Sequence, residues 1–371
     1  MLYLKSNLKS FYKFLVCFLF FGTIISCSSQ KISTETGYKI QFLDEYIIEK
    51  DLQFKNTTIG GLSEIDFDGE NFYIACDQPS NPRFYKAKIS IKEKKIDTLI
   101  FSEVIKLNKK SAPKNVLDLE GIRFKPSTKS FTLSSEGSIN NGVNASIFQV
   151  DIKGNILKNY NLPDNFLIDE NKNPRHNSMF EGLTADFLND GIWVSTEMPL
   201  TTDGPKAKIF GTKSYVRFTH FNASLKPDKQ FAYQLSKIKR LPYLPFSLNG
   251  LTAILNYDEN RFITVERTFA AGRGKKSYKI LLFDVNANTA SSTLKTDKLK
   301  KRKITPAKKQ LIFDFDNVRK KLAHKSIDNI EGICFGPILP NGNKTLLLIA
   351  DNNFNSFQPQ LNQLILMEVI D

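Results

Sequence analysis

The stretch FEGLTADFLNDGIWVSTE, residues 180–197, sets Glu181 directly before a glycine and Glu197 fifteen positions beyond it. Four relatives of this pattern recur: GLSEIDFDGENFYIACD from Gly61, EGIRFKPSTKSFTLSSE from Glu120, NGLTAILNYDENRFITVE from Asn249 and EGICFGPILPNGNKTLLLIAD from Glu331. Glu120, Glu181 and Glu331 lead their stretches, and Asp77, Glu136, Glu197, Glu266 and Asp351 close them. Carboxylates gathered within a few Å raise one another's pKa and repel, so such a group must be neutralised. A hard divalent cation such as Ca²⁺ does this by taking about six to eight oxygen ligands from carboxylates, carbonyls and water. Backbone N–H groups and arginines are the alternative, and they make each acid a repeated structural latch. Repetition in nearly every unit assigns most of the closing acids to latches and several leading glutamates to function.

Arg123, Arg267, Arg175 and His176 are the cations expected near these acids. A phosphate bridged between arginine forks and a bound cation is sound chemistry, and pairing with the surrounding acids is the plainer use. His176, His220 and His324 stand near no G-x-S-x-G elbow, so a Ser-His-Asp hydrolase has no support. The loop AAGRGKK lacks the strand-to-helix setting of a phosphate-binding loop.

The elements that must position these groups follow from the repeat. Its glycines stand at 61, 121, 182, 250 and 332, a period of about sixty residues or more that marks an array of similar units. Each unit reads as a hairpin of alternating apolar strands, with turns at Asp68-Gly69, Asp190-Gly191 and Asn341-Gly342. Two further strands follow, RFYKAKIS and KIDTLIF in the first unit, ASIFQVDI and NILKNYNL in the second. Four antiparallel strands per unit with almost no helical pattern predict an all-β fold, a β-propeller of five blades, or six with a degenerate one. The last unit supplies three strands, and YKIQFLDEYII near the N-terminus is the candidate for its fourth, which closes the ring and removes its exposed edges.

In such a blade the start of the first strand and the end of the second lie on one face near the axis. Up to eight acids therefore crowd one mouth of the central channel. The long loops open on the same face, where binding usually sits.

Net charge is +14, and without the three lysines ahead of the first apolar run it is +11. Residues 295–325 alone hold twelve Lys/Arg against three Asp, so the positive charge is a local insertion, about 286–309, and not a nucleic-acid face. The insertion is expected as a solvated loop, or one touching an anionic surface, on the face opposite the acids and out of contact with them.

Lys5, Lys9 and Lys13 precede an apolar run from Phe14 to Ile25 that ends in IISC, the form of a bacterial lipoprotein signal. Residues 1–26 are expected to be removed, Cys27 to carry the lipid, 27–37 to act as tether and 38–371 to form the propeller in the cell envelope. Cys76 and Cys334 lie in apolar runs and are expected as free thiols.

DLEGIRF with SSEG, EGLTADF with VSTE, NGLTAIL with FITVERTF, and NIEGICFGP with LLLIADNNF resemble the family of esterase-like activity of phytase, the phytase-like domain, from about Gly60 to Val369. The resemblance implies a secreted or lipid-anchored protein whose recurring acids form a phosphoesterase site. Glu120, Glu136, Glu181, Glu197, Glu266, Glu331 and Asp351 match that pattern, whereas Gly60 and Asn249 replace its glutamate. The combined reading is a Ca²⁺-assisted phosphoester hydrolase. Glu120, Glu181 and Glu331 hold the metal, with the other matching acids as further ligands. Glu181, Glu331, Arg123 and Arg267 are catalytic, and Arg175 and His176 bind a phosphorylated small molecule or phosphodiester. A non-catalytic ligand-binding propeller and an envelope scaffold are the alternatives.

Overall fold

A computed structural model describes residues 38–108, 116–169, 174–188, 191–355 and 360–370. The signal, Cys27, the tether and Asp190 of one expected turn lie outside these residues.

From Gly37 onward the chain is one compact unit of five four-stranded antiparallel sheets. Blade 1 comprises Leu62–Phe67, Phe72–Cys76, Arg83–Lys92 and Lys95–Lys106, and blade 2 Leu119–Lys125, Ser130–Ser135, Ser146–Asp151 and Ile156–Asn159. Blade 3 comprises Phe180–Ala185, Ile192–Thr196, Tyr215–Phe221 and Pro227–Gln234, and blade 4 Ser247–Asp258, Arg261–Ala270, Tyr278–Asn286 and Lys308–Asp314. Blade 5 runs outward from Ile330–Phe335 through Thr345–Ala350 and Asn362–Ile370 to Lys39–Ile48, the strand from the N-terminal end. That last pairing, Lys39 opposite Ile370 through Ile48 opposite Asn362, closes the ring. The innermost strands contact one another in cyclic order, and the fifth returns to the first. The propeller is therefore five-bladed.

Stability resides between the blades. Five apolar clusters occupy the five interfaces, for example Leu255, Val265, Ile333 and Leu348 between blades 4 and 5, and Trp193, Phe218, Leu251 and Phe262 between blades 3 and 4. The inner strands lie between neighbouring blades and are buried almost throughout, polar residues included, as in any sheet covered on two sides. Cys76 and Cys334 belong to this packing as free, buried thiols.

The basic insertion departs from its expected solvated, detached state. Its backbone joins the outer strand of blade 3 through Thr293 N–H to Gln230 O (2.8 Å) and Ala307 N–H to Ala232 O (2.9 Å), and Leu299 is fully buried. Arg217 supplies the reason. This buried guanidinium is held by both oxygens of Asp203 (2.7 and 2.8 Å), by Gln230 (2.7 Å) and by the carbonyl of Asp297 in the insertion (3.3 Å). A buried charge needs such full enclosure, and the insertion completes it.

Candidate functional site

Three of the inner hairpins carry a β-bulge at the leading glutamate. In blade 2, Leu119 pairs with Ser135 and Gly121 with Ser134, which leaves Glu120 without a partner in the ladder. Glu181 and Glu331 are skipped in the same way. A bulge re-aims the side chain of its extra residue, and here it aims the carboxylate at the channel mouth. Blades 1 and 4, with Gly60 and Asn249 in place of the glutamate, move the bulge to Ser63 and Thr252. Those hydroxyls bond backbone carbonyls of adjacent inner strands, Ser63 to Leu119 O (2.8 Å) and Thr252 to Ile330 O (2.9 Å).

The mouth is a cavity of about 290 Å³. Asp77, Glu120, Glu136, Glu181, Glu197 and Glu331 line it together with Arg267, and Leu248, Phe269 and Tyr278 from blade 4 form an apolar wall. The structure thus brings six of the eight anticipated acids together. Asp351, fully buried, belongs to the same charge cluster, since burial and then the charges of Glu331 and Asp77 push its carboxyl up.

Glu266 does not join them. Its carboxylate accepts from Tyr233 (2.6 Å), Ser236 N–H (3.1 Å), Asn249 Nδ2 (2.9 Å) and Lys309. It is a latch between blades 3 and 4. Lys309, at the end of the insertion, supplies the countercharge, so the expected separation of insertion from acids fails at this one residue.

Arg123 is likewise displaced from its expected place. Its guanidinium is buried among the inner strands, donating to Glu64 (3.1 Å) and to the carbonyls of Ile65 (3.1 Å), Ile122 (2.6 Å) and Ile333 (3.1 Å). With all these partners it cannot steady a ligand at the mouth. Arg175 donates to Pro199 O (2.9 Å) and Gly204 O (3.2 Å) and shapes a rim loop. His176 is exposed on that rim, and its neighbour Asn177 lines the cavity instead.

Charge divides the mouth into two halves. Arg267 donates to Glu197 (3.1 Å), Glu331 and Asn329 (2.7 Å). Its positive charge also lowers the cost of ionising Glu181 and Asp351. On the other side, Asp77, Asp118 and Glu120 have carboxylate oxygens all within 4.8 Å of one another, and no cation among the described residues offsets them. Burial, then the hydrogen bond and charge of Asp118, pushes Asp77 up to about 9. Burial followed by the charges of Asp77 and Glu181 raises Glu120 well above the carboxylate range. Burial also takes Glu136 to about 8 and, against the pull of Arg267, Glu331 to about 7.

Two acidic oxygens here are buried without any hydrogen-bond partner: Asp118 Oδ1 and Asp351 Oδ2. Orphaned carboxylate oxygens are costly, and they suit a hard cation that takes oxygen ligands. Asp118 was not anticipated from the sequence. The signal was present in DLEG, where it stands two residues before the leading glutamate, the position Asn329 holds in DNIEG.

The sequence matches the family described as Phytase-like, esterase-like activity of phytase, over residues 57–354. No curated protein matches the chain. Among solved structures, it is similar to an endo-arabinase from Bacteroides thetaiotaomicron, with 15% identity, 84% of this chain and 95% of that one covered, and a TM-score of 0.42. A xylan β-1,4-xylosidase from Bacillus halodurans is similar at 10% identity over 84% of this chain and 53% of that one, TM-score 0.42. A member of the DUF4221 family from Bacteroides vulgatus is similar at 10% identity over 90% and 99%, TM-score 0.39.

Proposed function

Because the chain belongs to the Phytase-like family, we propose that the acidic mouth is the site of a cation-assisted phosphoester hydrolase. The observation that carries this reading is the uncompensated half of the mouth, with the orphaned oxygens of Asp118 and Asp351. Asp77, Asp118 and Glu120 would hold the divalent cation, with Ca²⁺ the expected ion. When bound, such an ion polarises a phosphoryl oxygen and lowers the pKa of a water molecule.

The protein's own residues do the rest. Arg267 keeps Glu197 and Glu331 fixed and would meet a phosphate once a bound cation offsets the surrounding acids. Glu331, raised to about 7 by burial, would serve a leaving alcohol as general acid near neutral pH. Leu248, Phe269 and Tyr278 keep water from one side of the cavity and offer a surface for the organic part of the ester.

The envelope location and lipid on Cys27 belong to this proposal and rest on the N-terminal sequence. Among the described residues no helix is long and apolar enough to cross a membrane. A second reading, a non-catalytic binding propeller, is favoured by the engagement of Arg267 with Glu197, Glu331 and Asn329.

Calorimetric titration with Ca²⁺ and turnover of phosphomonoester and phosphodiester substrates, on wild type and Asp118→Asn, separate the two. The hydrolase reading expects Ca²⁺-dependent turnover, with both affinity and rate reduced at least about tenfold by Asp118→Asn. Tight Ca²⁺ binding with no turnover of either ester leaves the binding propeller.

A further inference from the structure

The apolar wall of the mouth does not stop at the rim. Above Leu248 and Phe269 the inner hairpin of blade 4 continues to the pair Ser247 and Ala270, and beyond it two loops remain joined. Tyr243 N–H donates to Ala271 O (2.9 Å), and Ala271 N–H donates to Phe246 O (3.0 Å). The first loop reads LPYLPF, and it leaves Leu241, Tyr243, Leu244 and Phe246 between 55% and 72% exposed. A neighbouring loop, tied on by Ile238 N–H to Lys208 O (2.8 Å), exposes Ile209 and Phe210. Of thirteen exposed large apolar residues among the described ones, six thus stand on two adjoining loops. Exposed apolar residues gathered in this way mark an interaction surface, whereas scattered ones do not.

The charges within these loops have one sign. Residues 204–213, 236–247 and 270–277 contain Lys206, Lys208, Lys213, Lys237, Lys239, Arg240, Arg273, Lys275 and Lys276, and no Asp or Glu. Arg240 is drawn inward to Asp316, but Lys206, Lys208, Lys213, Lys237, Lys239, Lys275 and Lys276 are exposed. Arg273 stacks on Tyr243 at 3.9 Å and donates to Leu241 O (2.6 Å), so the tip is braced, and Pro242 and Pro245 stiffen it further.

We propose that these two loops dock the propeller onto an anionic lipid surface, with their aliphatic and aromatic tips in the headgroup layer and their lysines against the headgroups. A polyanion such as nucleic acid would satisfy the lysines but would leave Leu241 and Leu244 in water. A neutral apolar partner would bury the tips and leave the lysines uncompensated. Lipid of negative charge answers both, because basic and apolar contributions to interfacial binding add. Docked in this way, the propeller turns the face bearing its mouth to the membrane.

The test uses residues 38–371, a ring closed by its own N-terminal strand, so that no lipid on Cys27 can contribute. Cosedimentation is measured with vesicles of phosphatidylcholine alone and of phosphatidylcholine mixed equally with phosphatidylglycerol. Expected are salt-sensitive binding to the mixed vesicles, a loss of roughly tenfold for Leu244→Ser with Phe246→Ser, and a comparable loss for Lys275→Glu with Lys276→Glu. Unchanged melting temperatures for both variants show that the fold is intact. Absence of binding to mixed vesicles, or binding untouched by both variants, overturns the proposal. So does self-association in sedimentation velocity, without vesicles, that Leu244→Ser with Phe246→Ser abolishes, since the patch would then belong to a second copy of the chain.

Discussion

Arg267 and Lys309 each hold a buried glutamate, and their removal has different consequences. Arg267→Met leaves Glu197 and Glu331 buried without their cation, and a broken buried pair costs about 3–5 kcal/mol. The loss is expected to shrink below pH 7, because Glu331 then takes up a proton and no longer needs the guanidinium. Thermal unfolding of the variant at several pH values measures this, and a loss independent of pH would argue against Glu331 as a titrating group. Glu266→Gln strands Lys309 instead. It is expected to lower stability by about 2–4 kcal/mol while leaving Ca²⁺ affinity unchanged, since Glu266 faces blade 3 and not the mouth. Urea unfolding and calorimetry on the same variant distinguish a latch from a ligand. From the sequence, Glu266 and Glu197 hold equivalent positions, and only their neighbours tell them apart.

The bulged hairpin is the element that makes the mouth. The glutamate-glycine pair was legible as a repeated motif, but the glycine's purpose was not. A Cβ on Gly182 would collide with Ser195 Oγ in its own hairpin and press on Ile254 of blade 4 at 3.1 Å. On Gly250 it would collide with the carboxylate of Glu197 from blade 3. The glycine thus lets adjacent inner strands approach closely while the residue before it turns toward the axis. Gly121→Ala, whose Cβ would collide with Ser134 Oγ and with Leu183 of blade 3, is expected to cost about 1–3 kcal/mol in chemical unfolding, the usual range for overpacking, and to weaken Ca²⁺ binding by displacing Glu120. A variant of wild-type stability and affinity would show that the bulge tolerates a side chain. Where the glutamate is missing, in blades 1 and 4, the bulge slides to Ser63 and Thr252. That slide could not be read from one chain, because a bulge is a relation between two strands.

At the scale of the whole ring, the mouth gathers more negative charge than one arginine can offset, and stability must depend on pH. Glu136, Glu331 and Asp77 have folded-state pKa values of about 8, 7 and 9, all above those of free carboxyls. Between the unfolded and folded values the native state binds more protons than the unfolded one. Stability is therefore full below about pH 4 and falls as pH rises through 7 to 9. Without divalent cations the melting temperature is expected to decline from pH 5 to pH 9, and added Ca²⁺ to flatten that decline by replacing protons as countercharge. A flat profile in the cation-free protein would mean that other groups neutralise the acids.

The repeat, the hairpin turns, the strand alternation and the missing fourth strand of the last unit all lie within the sequence, and they determined a closed propeller with its acids on one face. Blades form from neighbouring segments, so local pattern suffices to specify them. What each acid does was decided only by the tertiary structure. Glu197 meets an arginine from blade 4, Glu266 a lysine from the end of the insertion, and Asp77 meets Asp118 and Glu120. Those partners come from other blades or from the far strand of the same blade, at distances along the chain that carry no periodic signal. A carboxylate's role depends on the charges and donors within a few Å of it, and closure of the ring is what brings them there.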